Sequence, residues 1–362
     1  MPSSGKQSLQ HSEQKVLNPY NRADVHFQLG EEIGAEGKNS QVYLAHDPQL
    51  EAQLVIKKVA KCGLDAEGYF SESRCVYASS HSNVVPIHYA CQDADHIYLA
   101  MPHYVNGSLK KLMGQRPLTV REIIVFATQF LSGLHHIHSQ GLIHFDIKPD
   151  NILLSERGEA LVADFGLAKA RGLNGLAEQD MHYGKMAPPE HFQQDAYDHR
   201  YDIYQVGMTL YRMCVGDAEF YAQYHSHFVN GELDRHGFRH AVANGQFPST
   251  ENDVFAEHIP DAMIRVIRKC LKPIEQRYES VTEVVNDLAP IEGQLLDWQF
   301  QQDEFGKHWV KVEDGMKISL DLTLARASVA KKGRVDQAER RINQYCTEGL
   351  NRQSTKRFLR EH

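Results

Sequence analysis

Short alternating runs of apolar and polar residues fill the first part of the chain after a polar start. Five segments between Asp24 and Met101 have the period of half-buried β-strands, and one helix-like stretch interrupts them near Gly68–Ser79: VHFQL, SQVYLA, QLVIKKV, VVPIHYA and HIYLAM. Strands joined by tight connections, with one helix, predict a small, mainly β lobe over residues 24–102. Residues 1–23 lack this period and are rich in Ser, Gln and charge, so we expect a flexible arm there.

The period changes to that of amphipathic helices after Asn106-Gly107. Apolar residues recur at i, i+3 and i+4 in TVREIIVFATQFLSGLHHIHSQG, and again over 201–215, 261–271 and 279–290. This predicts a larger helical lobe over residues 103–294. Beyond Leu295 the alternation returns in WQFQ, HWVKV and KISLDLTL, and a polar helix is expected near Val335–Tyr345. The predicted fold class is α+β, with two lobes and a small C-terminal α/β extension over residues 295–362.

Charge is divided unevenly along the chain. The net charge is −8, but residues 325–362 hold ten Lys/Arg and four Asp/Glu, so this tail is +6 and residues 1–324 carry −14. The balance argues against a globally basic nucleic-acid-binding protein, and the tail has no stacking pattern or nucleic-acid motif. A scaffold, an autoregulatory element and a docking surface for an acidic partner all remain open for the tail, as does an ordinary solvated helix.

Cysteine and hydropathy patterns bear on the compartment. The six cysteines form no C-x-x-C pair, which favours free thiols over a disulfide framework or a zinc site. No apolar segment has the length of a signal-peptide core or a membrane span, so we expect a soluble, cytoplasmic protein without a membrane partner. Among the many histidines, His135, His136 and His138 are close in sequence, but no Cys or acidic partner completes a metal-ligand set.

Candidate chemistry is concentrated in LIHFDIKPDNILLSERGEALVADFGLAK, residues 142–169. Phosphoryl transfer needs a carboxylate to accept a hydroxyl proton, cations beside the phosphates and oxygen ligands for Mg²⁺. Asp146, Lys148, Asn151 and Asp164 supply these groups within one short segment. The segment resembles the eukaryotic-type protein kinase family, and the resemblance extends from about Phe27 to Leu288.

The resemblance implies a role for each of these residues. The family motif H-x-D-x-K-x-x-N begins here at His144, which makes Asp146 the catalytic base. Lys148 matches the lysine of Ser/Thr kinases that reaches the γ-phosphate. Asn151 and Asp164, the latter from Asp-Phe-Gly, would bind Mg²⁺ on the phosphates of ATP. The implied substrate is a protein with Ser or Thr hydroxyls.

The family's nucleotide-binding residues can also be matched in the first lobe. Lys57 in LVIKKV stands where the phosphate-binding lysine is found, and Glu72 stands where the helix glutamate that pairs with it is found. The glycine-rich loop, with Gly34 and Gly37, departs from the family's G-x-G-x-x-G-x-V, so that either one residue is inserted or Ser40 replaces the last glycine. Backbone N–H groups can still cradle phosphates if these two glycines allow the tight turn. A P-loop is rejected, since Glu32 and Asn39 break its pattern.

The segment MPHYVNGSL resembles the hinge between the kinase lobes. Met101 takes the gatekeeper position, and Pro102 follows it without an N–H. The family uses the carbonyl of this second residue and the N–H two residues later, here Tyr104, to bind adenine. The apolar residues that would contact the faces of the adenine ring are Val42, Val55 and Leu153.

Three further residues match structural positions of the family. Glu190 in Ala-Pro-Pro-Glu closes the activation segment, which runs here from residue 164 to residue 190. Arg277 is expected to form an ion pair with Glu190. Asp202 in YDIYQVG matches the helix aspartate that supports the catalytic loop, here residues 144–151.

Two departures from the family agree with each other. Phe145 replaces the arginine with which many members grip a phosphate on the activation segment, and that segment contains no Ser or Thr. Its one Tyr, Tyr183, stands where the family usually has Thr. We therefore expect activity without Ser/Thr phosphorylation of the activation segment.

Two alternatives to an active protein kinase remain open. The irregular glycine loop and Tyr183 would suit a pseudokinase that binds nucleotide and signals by shape. A small-molecule phosphotransferase shares the H-x-D-x-x-x-x-N arrangement and a metal aspartate, but Ala-Pro-Pro-Glu, Arg277 and D-I-K-P-D-N favour the protein kinases.

Overall fold

The computed structural model describes residues 25–37, 40–61, 80–179 and 184–362. The first lobe is built on a five-stranded antiparallel sheet in the order β1-β2-β3-β5-β4. Its strands are β1 (Gln28–Gly37), β2 (Ser40–Asp47), β3 (Ala52–Ala60), β4 (Tyr89–Gln92) and β5 (His96–Pro102). The helix expected near residues 68–79, with Glu72, lies outside the described residues, as does Tyr183.

The second lobe is mainly helical. Its helices are α1 (Leu109–Gln115), α2 (Val120–Ser139), α3 (Arg200–Val215), α4 (Asp217–His225), α5 (Arg235–Ala243), α6 (Asp261–Cys270) and α7 (Val281–Leu288). Helix α2 begins with a capping box, in which Thr119 accepts from the Glu122 N–H and the Glu122 side chain accepts from the Thr119 N–H. None of the helices in the described ranges is long and apolar enough to cross a membrane.

Short strand pairs and single 3₁₀ turns connect these helices. The pairs are β6 (Leu142–Ile143) with β9 (Lys169–Ala170), β7 (Ile152–Leu154) with β8 (Ala160–Val162), β10 (Ala177–Glu178) with β11 (Ala196–Tyr197) and β12 (Phe228–Val229) with β13 (Glu232–Leu233). The 3₁₀ turns lie at Pro149–Asn151, Gly184–Met186, Pro189–Phe192 and Ile274–Gln276, with a fifth at Asn343–Tyr345 in the extension. These observations confirm the predicted two-lobed α+β fold.

The two lobes are joined behind the cleft by residues 81–85. The Asn83 carbonyl accepts from the Val162 N–H at 2.9 Å, and the Asn83 amide donates to the Ala160 carbonyl at 3.0 Å. Helix α2 approaches so closely here that a Cβ on Gly133 would lie 2.2 Å from the Asn83 oxygen. Only glycine fits at that point, so the first lobe has a fixed attachment to the helical lobe.

The C-terminal extension is a second antiparallel sheet covered by one helix. Its strands, in sheet order, are β14 (Gln299–Gln302), β15 (Gly306–Glu313), β16 (Met316–Thr323), β17 (Ser328–Arg334) and β18 (Arg340–Arg341), followed by α8 (Arg352–Glu361). Trp298, Trp309 and Leu320 share a buried cluster with Phe358 and Leu359 of α8. This core explains the second alternating pattern in the sequence.

The predicted helix near Val335–Tyr345 is wrong. That stretch forms a turn, strand β18 and a 3₁₀ turn, and the helix begins only after Asn351. Val335, Ile342 and Tyr345 imitate a helical period, but Val335 is exposed and Tyr345 covers the core of the sheet. The residue that marks the start of the helix in the sequence is the N-cap Asn351, whose Oδ1 accepts from the Ser354 N–H at 2.8 Å.

The extension packs against the helical lobe and does not form an isolated module. Buried Glu257 accepts from Lys307 Nζ and Arg352 Nη1, each at 3.1 Å. Next to it, the Trp309 indole donates to His258 Nδ1 at 3.3 Å. Burial, and to a smaller degree Lys307, lowers the pKa of His258 to about 3, so the ring is neutral and can accept this bond. Arg121 and Asp297 form a further bridge between the two parts.

The Glu257→Gln variant tests how much this junction stabilises the protein. The amide keeps the shape but loses the charge that holds Lys307 and Arg352, so we expect the free energy of unfolding to fall by about 2 kcal/mol. Chemical denaturation measures it, with the exposed Glu156→Gln variant as control. An unchanged stability would contradict a structural role for the junction.

Candidate functional site

A buried carboxylate on α3 fixes the catalytic loop. Asp202 is fully buried and accepts three hydrogen bonds, from the His144 N–H at 2.8 Å, the Phe145 N–H at 2.7 Å and His138 Nε2 at 2.8 Å. Burial alone would raise the pKa of Asp202, but the hydrogen bonds and His138 outweigh it and lower that pKa. The carboxylate is therefore ionised and holds two successive backbone amides of the loop.

Strained backbone at two motif positions indicates why such support is needed. Phe145 and Asp164 have φ values of 64° and 62°, in the left-handed region that non-glycine residues avoid. The next turn of α3 supplies more support, because Gln205 accepts from the Ile147 N–H and donates to the Phe145 carbonyl, both at 2.9 Å. Strain of this kind persists only where surrounding bonds fix the conformation.

The two carboxylate oxygens of Asp146 differ in their hydrogen bonding. Its Oδ2 accepts from the Asn151 amide at 2.7 Å and lies 3.0 Å from Lys148 Nζ. Its Oδ1 is buried and has no hydrogen-bond partner among the residues that the structure describes. A buried acceptor without a partner costs about 1–3 kcal/mol, so this oxygen has the capacity to accept a further hydrogen bond.

Asp164 faces the first lobe across the cleft. Lys57 Nζ donates to its Oδ1, and the Gly166 N–H donates to the same oxygen at 3.0 Å. Partial burial alone would raise the pKa of Asp164, but Lys57 and the Gly166 N–H lower it to about 2. From behind, His144 supports this segment, with Nε2 3.1 Å from the Ala163 carbonyl and its ring 5.2 Å from that of Phe165. The carboxylate is therefore a fixed anion at neutral pH.

The strand register places four predicted nucleotide contacts on one face of the first sheet. Val42 lies opposite Lys57, and Val55 lies opposite Met101. Because directly opposite residues share a face and alternate residues along a strand share it too, all four face the same side. Lys58, the neighbour of Lys57, faces the other side. The apolar floor below is a cluster in which Met101, Tyr104 and Leu153 pack on buried residues: Val85, Leu161 and Ala163.

For the remaining predicted nucleotide-binding residues, the structure gives the strand pairing of Pro102, Gly34 and Gly37 but does not describe Glu72. Pro102 ends β5 opposite Leu54, on the face away from Met101. Gly34 pairs with Val42 and Gly37 with Ser40, in a stretch of β1 whose register shifts repeatedly. The expected ion pair between Lys57 and Glu72 lies outside the described residues.

Asn151 and Asp164 suit a magnesium ion shared with a phosphate. The Asn151 amide nitrogen is used by Asp146, which leaves its carbonyl oxygen as a ligand, and the Ala163 N–H donates to the Asn151 backbone at 2.9 Å and thus holds the two segments together. Within the described ranges, no three His, Cys, Asp or Glu side chains gather as a metal site. Mg²⁺ commonly takes one or two protein ligands and completes its shell with phosphate and water, and these residues fit that pattern.

Phe145 anchors the start of the activation segment in an apolar cluster. Its ring is fully buried and meets Tyr201 edge-on at 5.0 Å, and Tyr197 at 6.0 Å, with Ile143 and Ala177 beside them. Strand β10 of the activation segment pairs with β11, which carries Tyr197, and β9 pairs with β6 just before the catalytic loop. The first described part of the segment, residues 164–179, is thus tied to the helical lobe at two points by backbone pairing and apolar packing.

The end of the activation segment is fixed by an ion pair. Arg277 and Glu190, both buried, make two parallel bonds of 2.7 Å and 3.0 Å. Arg277 also donates to the Arg200 carbonyl at 2.7 Å, at the start of α3. The same helix therefore supports the catalytic loop through Asp202 and the activation segment through Arg277.

Sequence reasoning missed several residues of this network. His138 bonds to Asp202, which holds the catalytic loop, and Gln205 bonds to the loop itself; neither role follows from the local sequence. Asp150, within the motif, contacts Lys110 Nζ at 2.6 Å and Arg212 Nη1 at 3.4 Å, and Arg212 also pairs with Asp217. A polar residue on the apolar face of a predicted helix could have indicated these roles, because a buried polar group needs a hydrogen-bond partner.

The Phe145→Arg variant tests the apolar anchor. A guanidinium placed among Tyr197, Tyr201 and Ile143 would lose its hydration inside an apolar cluster, so we expect the free energy of unfolding to fall by about 2–4 kcal/mol. Thermal denaturation checks it, with Phe145→Leu as the apolar control, which should cost less. Equal stability of wild type and Phe145→Arg would contradict this description of the cluster.

Comparison with known proteins agrees with this geometry. The chain is 28% identical over 279 residues to a probable serine/threonine-protein kinase of Clostridium acetobutylicum, an alignment that covers 75% of this chain and 40% of that protein. It is 26% identical to the serine/threonine-protein kinase PknD of Protochlamydia amoebophila, covering 76% of this chain and 32% of PknD. With the probable kinase PknB of Lactococcus lactis it shares 28% identity, over 73% of this chain and 41% of PknB.

The chain thus spans less than half the length of these relatives, and the shared part holds the two lobes. The family model described as the protein kinase domain matches residues 27–288, which include the catalytic loop, the activation segment and the first sheet. The chain belongs to the protein kinase family.

Proposed function

We propose that this protein transfers the γ-phosphate of Mg-ATP to Ser or Thr hydroxyls of protein substrates. The observation that carries the proposal is the open Oδ1 of Asp146, buried beside Lys148 and Asn151. An incoming hydroxyl would satisfy this acceptor, and the same contact would orient the hydroxyl oxygen toward the phosphate. The names of the relatives and the intact set of chemistry residues support a kinase over a pseudokinase.

In this mechanism, Asp146 accepts the hydroxyl proton as the substrate oxygen attacks the γ-phosphorus. The O–P bond to the hydroxyl forms as the bond to the β-phosphate oxygen breaks, and ADP leaves. Asn151 keeps the Asp146 carboxylate in position through its 2.7 Å bond. Lys148, 3.0 Å from the base, stands where an ammonium can offset charge on the transferred group.

ATP would lie between the lobes with its adenine against the apolar floor. Val42, Val55 and Leu153 would contact the two faces of the ring, with Met101 behind it, and Tyr104 would offer its N–H at the hinge. Lys57 would bind the α- and β-phosphates, and Gly34 and Gly37 would let the backbone of β1 approach them. Magnesium, when bound by Asn151 and Asp164, neutralises charge on the phosphate oxygens.

Activity is proposed to need no Ser/Thr phosphorylation of the activation segment. The aromatic cluster around Phe145 and the strand pairs β6·β9 and β10·β11 support this, because they hold the part of the segment before residue 180 on the helical lobe. The position that would grip a phosphate holds a buried phenyl ring, and the segment offers no Ser or Thr to phosphorylate.

The Asp146→Asn variant tests the catalytic assignment. The amide cannot accept the proton, so we expect transfer from labelled ATP to a generic Ser/Thr protein substrate to fall by about 10²–10⁴-fold while ATP binding persists. Lys57→Met should also lose transfer, because the phosphates lose their cation. The exposed Asp253→Asn variant is the control and should retain full activity.

Three outcomes would decide against the proposal. Transfer that persists in Asp146→Asn would exclude this residue as the base. A wild type that binds ATP but phosphorylates no protein would favour the pseudokinase, and transfer to small-molecule acceptors alone would favour the phosphotransferase reading.

A further inference from the structure

Nine of the ten Lys/Arg of the C-terminal tail fall into two groups. Four of its ten Lys/Arg lie on α8 and are paired within the protein. Arg352 contacts Glu257 at 3.1 Å, Lys356 and Arg360 contact Asp261 at 2.8 Å and 3.0 Å, and Arg357 contacts Glu361 at 2.7 Å. This part of the charge joins the extension to the helical lobe and stabilises α8, so it is not available to a partner.

Five of the others form what we call the basic strip, at the edge of the second sheet. In the register, Lys331 lies directly opposite Arg341, and Lys332 lies directly opposite Arg340. Like charges directly opposite one another destabilise a strand pair. Within the described residues, no ion pair relieves them, since the nearby Glu339 is taken by Lys317 at 2.8 Å. The basic strip consists of Lys331, Lys332, Arg334, Arg340 and Arg341.

Two valines lie in the cross-strand rows next to the basic strip. Ser319 of β16 lies between Val310 of β15 and Lys331 of β17, so these three residues form one row across the sheet. In the next row on the same face, Lys317 lies between Val312, which is 58% exposed, and Gly333. The opposite face carries Trp309 and Leu320 and is buried, so the valine face is the outer one. No aromatic ring for base stacking occurs in these two rows.

The edge position of β18 adds a backbone feature. The sheet order places β18 outermost, so one side of its backbone has no strand neighbour in the described part of the chain. The cations alternate between the faces, with Lys331 and Arg341 on the outer face and Lys332 and Arg340 on the other. An extended chain beside β18 also alternates its side chains between the two faces, so acidic residues along it could meet cations on both.

We propose that the basic strip binds an extended, acidic segment of a partner protein that adds to the edge of β18. Charge complementarity selects an acid-rich occupant, and the exposed Val312 favours a polypeptide over a phosphate backbone. Residues 1–24 of this chain do not have the acidic composition that the basic strip requires, because they hold three Lys/Arg and two Asp/Glu. The inference concerns binding only and does not depend on phosphoryl transfer.

The test is fluorescence anisotropy of the full chain with a labelled peptide of alternating Glu and Val. Neutralising the central pair in Lys331→Gln/Arg341→Gln should weaken binding by about tenfold, and binding should weaken with salt. The same change relieves a like-charge pair, so the melting temperature should stay equal or rise, which separates lost binding from misfolding. Arg157→Gln/Arg265→Gln, with the same change at exposed positions of the helical lobe, should bind like wild type.

Several results would overturn the proposal. Equal binding by the two double variants would mean that net charge alone attracts the peptide. Tighter binding of a single-stranded RNA of the same length, or of vesicles containing phosphatidylserine, would assign the basic strip to phosphate groups instead. Absence of peptide binding by wild type at low salt would leave the strip with only a protective role against edge-to-edge sheet pairing.

Discussion

The buried carboxylate of Asp202 is the interaction on which the rest of the site depends. It accepts the N–H groups of His144 and Phe145 and so holds the loop where Phe145 has a left-handed φ. The next residue of the chain is Asp146, whose buried Oδ1 has no hydrogen-bond partner among the described residues. Because α3 also receives Arg277, which pairs with Glu190, one buried helix sets the positions of both the catalytic loop and the activation segment.

Apolar packing at Phe145 stands where many relatives in the family place an electrostatic contact. An arginine at this position would need an anion to be stable, which is why it can act as a switch. A phenyl ring packed on Tyr197 and Tyr201 needs no added charge, so the described parts of the segment are ordered by contacts that are always present. Positive charge is concentrated in the C-terminal extension, where residues of α8 form ion pairs with the helical lobe.

The sequence was most informative where chemistry demands fixed spacing. The segment from His144 to Asp164 predicted the family and the two-lobed fold, and the alternating pattern after Leu295 predicted a second sheet. The helix predicted at Val335–Tyr345 is wrong. Three apolar residues there have a helical spacing, but the segment forms the edge strand of the sheet, with Tyr345 buried and Val335 exposed. His138 and Gln205 were also missed, because bonds between a helix and a distant loop depend on packing that no local pattern contains. The roles of Lys57, Asp146, Lys148, Asn151 and Asp164 remain predictions.

The central claim is that this protein kinase transfers phosphate without Ser/Thr phosphorylation of its activation segment, whose described residues are held on the helical lobe by packing, strand pairing and the Glu190–Arg277 ion pair. The most direct measurement is the time course of γ-phosphate transfer to a Ser/Thr protein substrate, using enzyme first freed of all phosphate by a phosphatase that is then removed. The account predicts product formation that is linear from the first turnover. A lag that disappears as Tyr183 becomes phosphorylated, or no transfer at all, would contradict it.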